Sequence, residues 1–158
     1  MKKKIPSIAF ALTTFICLAQ CENNNHPAHP EYMKTILGGC NLGTPKVTRS
    51  ESEDANNTVV FTLSGDTLSV FVGVNFTCCT EFETEVTVSG DSLYLHIVDV
   101  CSESDEECYC RCMCYYTFDF IFTGISAGEY YYCIDLDSPL EDDLLVIQEG
   151  ILNTADLK

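Results

Sequence analysis

The chain has no tryptophan and only three histidines, and its 8 Lys and Arg residues are outnumbered by 24 Asp and Glu. A surface so poor in cations cannot neutralise phosphates, so nucleic-acid binding and electrostatic docking on anionic headgroups are both disfavoured. Histidine chemistry is equally restricted. His26 and His29 lie in a polar stretch, and only His96 sits in a strand-like segment. No G-x-S-x-G elbow accompanies it, so a Ser-His-Asp or Cys-His hydrolase is not expected. The body of the chain also lacks a convincing helical period, and no apolar run is long enough to span a bilayer comfortably as a helix.

What is present begins with a leader. Lys2, Lys3 and Lys4 precede an apolar run from Ile8 to Ala19, so residues 1–20 read as an export signal. The sequence LAQC at residues 18–21 resembles the lipobox of bacterial lipoproteins, in which the cysteine is acylated and becomes the first mature residue. Leu18 and Ala19 fit that pattern, and Gln20 departs from its usual Gly, Ala or Ser. The resemblance implies lipidation of Cys21. Ordinary cleavage after Ala19, with Cys17 and Ala19 as the small residues before the cut, is the alternative. The ENNNHPAHPE segment that follows suits a flexible anchor spacer, which makes a lipid bilayer the expected partner of an N-terminal acyl chain.

Without the three leader lysines, 5 basic and 24 acidic residues leave a formal charge of −19. Such a chain self-repels and stays solvated. Eleven cysteines are present, and removing Cys17 with the leader leaves ten. An even number in an oxidising compartment favours disulfides, whereas acylating Cys21 leaves nine and one odd thiol.

Residues 21–57 are rich in Asn, Pro, Gly and Ser and are expected to form a polar tether and irregular lead-in, with Cys40 stapled to the domain. From Thr58 the period becomes two. Val59, Phe61 and Leu63 alternate with polar residues, SGD at 64–66 marks a turn, and Leu68, Val70, Val72, Val74, Phe76 and Cys78 share the next face. The pattern repeats about the SGD at 89–91, so FTLSGDTLSV and VTVSGDSLYL read as two copies of one hairpin and predict an antiparallel meander. In Cys108–Thr123 the even positions are all Cys or aromatic. One strand of that length would reach about 53 Å, so a bulge or a change of sheet is expected near Cys114. EYYYCIDL and DLLVIQEG supply two more strands. The expectation is an all-β, antiparallel, disulfide-stapled β-sandwich over residues 58–150, with a tail at 151–158.

The run G-I-x-x-G-x-Y between two strands resembles the last hairpin of immunoglobulin-like and transthyretin-like sandwiches. Together with the lipoprotein-type leader, the vicinal Cys78 and Cys79 and the C-x-C-x-C run, it is similar to small exported lipoproteins of Bacteroidetes that have no assigned function. The resemblance covers roughly residues 58 to 136 and implies no catalytic residues. It implies a cell-envelope location, in the outer membrane if the anchor forms and periplasmic or secreted otherwise.

CYCRCMC at residues 108–114 gathers four cysteines in seven residues, which suggests a soft-metal site at Cys108, Cys110, Cys112 and Cys114. Structural zinc sites use C-x₂₋₄-C so that a turn brings two sulfurs to one ion. C-x-C on a strand instead sets Cα atoms about 6.6 Å apart with parallel side chains, which suits bridges to other strands. Cys40, Cys78, Cys79, Cys101 and Cys133 are the partners on offer. A hairpin through residues 102–107 makes Cys101 a partner for Cys108 or Cys110, with Cys78 serving a later one. A vicinal Cys78–Cys79 bridge would be strained and labile. SESDEE at 102–107 and EDD at 141–143 lack the calcium-loop spacing and read as solvated loops. Tyr109, Tyr115, Tyr130, Tyr131 and Tyr132 are either cross-strand packing residues or a platform for a protein or glycan ligand. The expected function is thus a non-enzymatic, cofactor-free, envelope-anchored binding or structural module; the alternative is a thiol-rich metal-binding protein.

The leader yields the first prediction. Cys21→Ala should convert a membrane-retained protein into one released to the periplasm or medium; a variant that fractionates like the wild type would overturn the anchor.

Overall fold

The computed structural model describes residues 29–41, 57–101, 108–140 and 143–157. The leader, Cys21, most of the tether and the 102–107 loop lie outside these residues. Among the described residues, eight strands form two four-stranded sheets. They are β1 (Glu31–Asn41), β2 (Thr58–Ser64), β3 (Thr67–Thr77), β4 (Phe82–Ser89), β5 (Ser92–Asp99), β6 (Met113–Thr123), β7 (Glu129–Asp137) and β8 (Leu145–Asn153). One sheet has the order β1-β6-β3-β2 and the other β4-β5-β7-β8.

The two SGD repeats are hairpins. Ser64 pairs with Thr67 and Ser89 with Ser92, leaving two-residue Gly-Asp loops in which Gly65 and Gly90 have φ of +64° and +58°. Glycine at the first loop position with positive φ is the II′ pattern that matches strand twist. The hairpins do not continue as a meander, however. β2–β3 lies in one sheet and β4–β5 in the other, because each has one apolar face and stacking the faces buries both. The switch occurs at Cys78–Cys79, where Cys79 takes φ of +70°.

The chain then crosses back to form β6 and crosses again to form β7. After these two crossings β7 runs in the direction of β5, and these two neighbours pair in parallel, whereas every other pair among the described strands is antiparallel. The segment Gly124–Tyr130 is therefore a crossing between sheets and not a hairpin. Tyr130 at its end accepts a hydrogen bond from the Ser126 amide at 3.1 Å and donates to the Ser126 carbonyl at 3.3 Å.

Period two determines the core. Leu68, Val70 and Val72 on β3 lie opposite Phe122, Phe120 and Phe118 on β6, and all six are essentially without solvent exposure. Leu93, Leu95 and Ile97 of β5 and Ile134 and Leu136 of β7 close on them from the other sheet. Val86 of β4 packs on the same core but is only partly buried, as an edge strand allows. Phe82 adds edge-to-face contacts with Phe76, Tyr116 and Phe118, their ring centroids 4.9–5.6 Å away.

Two boundaries differ from the sequence expectation. Glu31–Asn41, placed in the irregular lead-in, is edge strand β1 paired to β6. Register shifts between Tyr32 and Lys34 and between Leu37 and Cys40 interrupt its alternation. Gly38 lies against the Thr117 side chain and Gly39 has φ of +64°, so glycines here accommodate the irregularity instead of marking a loop. At the other end β8 continues to Asn153 and leads into a single 3₁₀ turn, Thr154–Asp156. Thr154 Oγ1 accepts from the Gly128 amide at 2.9 Å, so this segment is docked and the sandwich does not stop at residue 150.

Phe120→Ala is predicted to cost about 3–5 kcal/mol, the usual range for removing a large aromatic from a packed core. Thermal or denaturant unfolding measures it, and an unchanged midpoint would refute the assignment of this face to the interior.

Candidate functional site

The cysteine run gathers at the end of the sandwich where β3 and β6 meet. Four bridges form there: Cys101–Cys108, Cys79–Cys110, Cys78–Cys112 and Cys40–Cys114, with Cα separations of 5.8, 5.6, 5.3 and 5.2 Å. All fall within the usual disulfide span. As the run advances from 108 to 114, each cysteine takes a partner earlier in the chain, a nested order that follows from antiparallel pairing. Cys101 takes the first member and Cys78 a later one, which the hairpin geometry anticipates.

Only Cys114 belongs to regular strand β6, which begins at Met113. Short ladder bonds nevertheless continue past it. The Cys78 amide donates to the Cys112 carbonyl at 2.9 Å, and the Cys110 amide donates to the Cys78 carbonyl at 3.0 Å. Cys78 and Cys79 are consecutive, yet one is buried and the other exposed, and they bridge separate partners instead of each other.

These bonds disperse the four thiols of the run among four partners, so the run is no chelating set while oxidised. A different set is brought together: the sulfurs of Cys40, Cys78 and Cys114 all lie within 4.8 Å of one another. Cys114 Sγ is 2.9 Å from Cys78 Sγ. With both sulfurs bridged neither carries a proton, so this is a close contact between two disulfides and not a hydrogen bond.

Beside the cluster, Asp99 is buried at the end of β5 and fully employed. Its carboxylate accepts from the Cys101 amide at 3.0 Å, the Tyr109 hydroxyl at 3.0 Å and the Ser138 hydroxyl at 2.7 Å. A buried carboxylate with three donors ties Cys101, Tyr109 and Ser138 together beside the bridges. Nothing in the alternation identified Asp99 in this role, because its partners are 2, 10 and 39 residues away.

Cys133, also a disulfide candidate from sequence, is the one free cysteine among the described residues. It faces outward from β7, opposite Tyr94 of β5 and Glu149 of β8. Its thiol donates to Asp135 Oδ2 at 3.9 Å, and the other oxygen of Asp135 meets His96 Nδ1. The parallel β5–β7 register that aligns His96 with Asp135 could not be read from either strand alone. A Cys, a His and an Asp are thus neighbours, but the carboxylate lies next to the sulfur. Burial first, then the charges of Asp135 and Glu149, push the Cys133 thiol above its ordinary range, which keeps it protonated. That is the reverse of an activated nucleophile.

The tyrosines do not form one platform. Tyr115, Tyr130 and Tyr132 are buried, Tyr109 is half-buried, and only Tyr131 is exposed. Tyr131 stacks obliquely on Tyr94 at 5.9 Å and donates to Glu149, a bond that raises its own pKa to about 12. A cleft of about 100 Å³ opens between β1 and β4, lined by Leu37, Phe82, Tyr116 and Phe118 among others. It is too small for a drug-sized ligand. Comparison with known proteins finds no matching family model, no matching curated protein and no matching solved structure.

Alkylation of Cys133 in the folded, oxidised protein is predicted to be slower than in the denatured chain at pH 8, with its half-maximal pH displaced upward. Asp135→Asn should move the profile part of the way back, since burial remains. Coincident folded and unfolded profiles would show that the carboxylates and burial do not control this thiol.

Proposed function

We propose that the protein is a non-enzymatic, disulfide-stapled binding or structural module, held at the cell envelope by an acyl anchor on Cys21. The cysteine count carries this reading. Of the nine cysteines after Cys21, eight are bridged and Cys133 is left over. An odd domain count is what remains when Cys21 is committed to lipid. Four bridges also require an oxidising compartment, in keeping with the outer membrane or, without the anchor, the periplasm or exterior.

The sandwich is best read as immunoglobulin-like or transthyretin-like, in line with the resemblance to exported Bacteroidetes lipoproteins. Tyr130 supports it: a tyrosine near the start of a strand, bonding back to the backbone at a cross-sheet corner, is characteristic of immunoglobulin-type sandwiches. The parallel β5–β7 pair is a departure from their usual antiparallel order. The cleft between β1 and β4 is small, and a protein or glycan partner would be met on the exposed faces.

One observation favours the second reading, metal binding. On reduction, Cys40, Cys78 and Cys114 would present three thiolates from three separate segments, a better soft-metal set than the run from Cys108 to Cys114. A thiol count on denatured, unreduced protein purified from the envelope separates the readings. One thiol, at Cys133, is the result expected for the anchored module. Four or more would overturn it in favour of metal handling.

A further inference from the structure

Four sulfurs at the cysteine end form a continuous line: Cys40, Cys114, Cys78 and Cys112. The outer two belong to exposed residues and the inner two to buried ones. The outer–inner links are the two disulfides, and the inner pair is in contact at 2.9 Å without a bond. A third pairing, Cys78–Cys114, is therefore within reach of sulfurs that are already touching. We propose that these four residues form a thiol–disulfide exchange centre, which takes up a low-molecular-weight thiol at one of the two exposed residues and releases a thiol at the other.

The exchange balances without any oxidant or reductant. An incoming thiol gives its proton to water, and its thiolate attacks Cys40 Sγ. A new disulfide forms between the incoming sulfur and Cys40, and the electron pair of the Cys40–Cys114 bond leaves on Cys114. The Cys114 thiolate attacks the adjacent Cys78 Sγ. The Cys78–Cys114 bond forms, and the pair of the Cys78–Cys112 bond leaves on Cys112, which takes a proton from solvent. One thiol is consumed, one is produced, and the number of disulfides is unchanged apart from the partner exchanged.

The line is symmetric in its chemistry. Attack at Cys112 expels Cys78, which takes Cys114 and frees Cys40. Either end yields the same inner bond, so the buried Cys78–Cys114 disulfide is the diagnostic product. The other two bridges share no such contact in the described structure: Cys79 and Cys110 pair together, as do Cys101 and Cys108. They serve as internal controls. A neutral thiol is the appropriate probe, since the acidic surface opposes an anionic one.

The oxidised full-length protein, treated briefly with limiting 2-mercaptoethanol, acid-quenched, alkylated and mapped by mass spectrometry without reduction, tests the centre. The expected species carries the Cys78–Cys114 bond, an adduct on Cys40 or Cys112, and alkyl label on the other. A Cys40 adduct with label on Cys114 and an intact Cys78–Cys112 bond would overturn the proposal, as would a Cys112 adduct with label on Cys78. So would failure to form any adduct at Cys40 or Cys112 while the control bridges open. The double variant Cys40→Ser/Cys112→Ser gives an independent reading. Its thiol count should equal that of the wild type because Cys78 and Cys114 bond each other; a count higher by two would refute the inner pairing.

Discussion

Ten consecutive residue pairs, from Leu68–Phe122 to Thr77–Met113, join β3 to β6 at the centre of one sheet, and the other features are set by that ladder. Its inward row supplies the aliphatic and phenyl side chains on which the second sheet closes. Its outer edges receive β1 and β2. Its far end runs directly into Cys78 and Cys112, so the register that aligns Val72 with Phe118 also aligns two cysteines for bonding. A one-residue slip would turn the phenylalanines to solvent and part the sulfurs together. Core and bridges thus specify the same register.

The bridges act on different loops. Cys101–Cys108 closes a separation of 7 residues, whereas Cys40–Cys114 closes 74. In the chain-entropy account the longer closure restricts the unfolded ensemble more, and individual bridges contribute about 2–4 kcal/mol. Their sum is less than additive, because once Cys78–Cys112 is closed the neighbouring Cys79–Cys110 bridge removes little further freedom. The value of Cys40–Cys114 is more local than its separation implies. It fixes β1, an edge strand with two register shifts and exposed Met33, Ile36 and Leu37, whose own burial could hold it only weakly.

Sequence pattern revealed the features that depend on neighbours two residues apart. Both Gly-Asp hairpins, the Phe118, Phe120 and Phe122 face, and the outward position of Cys133 follow from alternation within one strand. The all-β sandwich follows from their sum. Sheet membership did not, because two identical hairpin signals can lie side by side or face to face with the same alternation. β1 was hidden for another reason: its irregularities and its glycines imitate a loop. In the cluster, C-x-C spacing correctly pointed to bridges reaching other strands. The contact between Cys114 and Cys78 is a diagonal between two paired segments distant in sequence, and no spacing within either one encodes it.

The two sulfur environments make chemical sense together. A protein with four bridges is vulnerable to any thiolate it carries, since a thiolate is the species that opens disulfides. Cys133 is such a threat within one molecule and between molecules. Its position on β7 answers it: Asp135 on the same strand and Glu149 on the next oppose ionisation, and partial burial opposes it further. The nearby His96 is engaged by Asp135. The acidic composition therefore has a local use. The same carboxylates that add to the negative charge hold Cys133 as a thiol, so the bridges are spared attack by the free cysteine of their own chain.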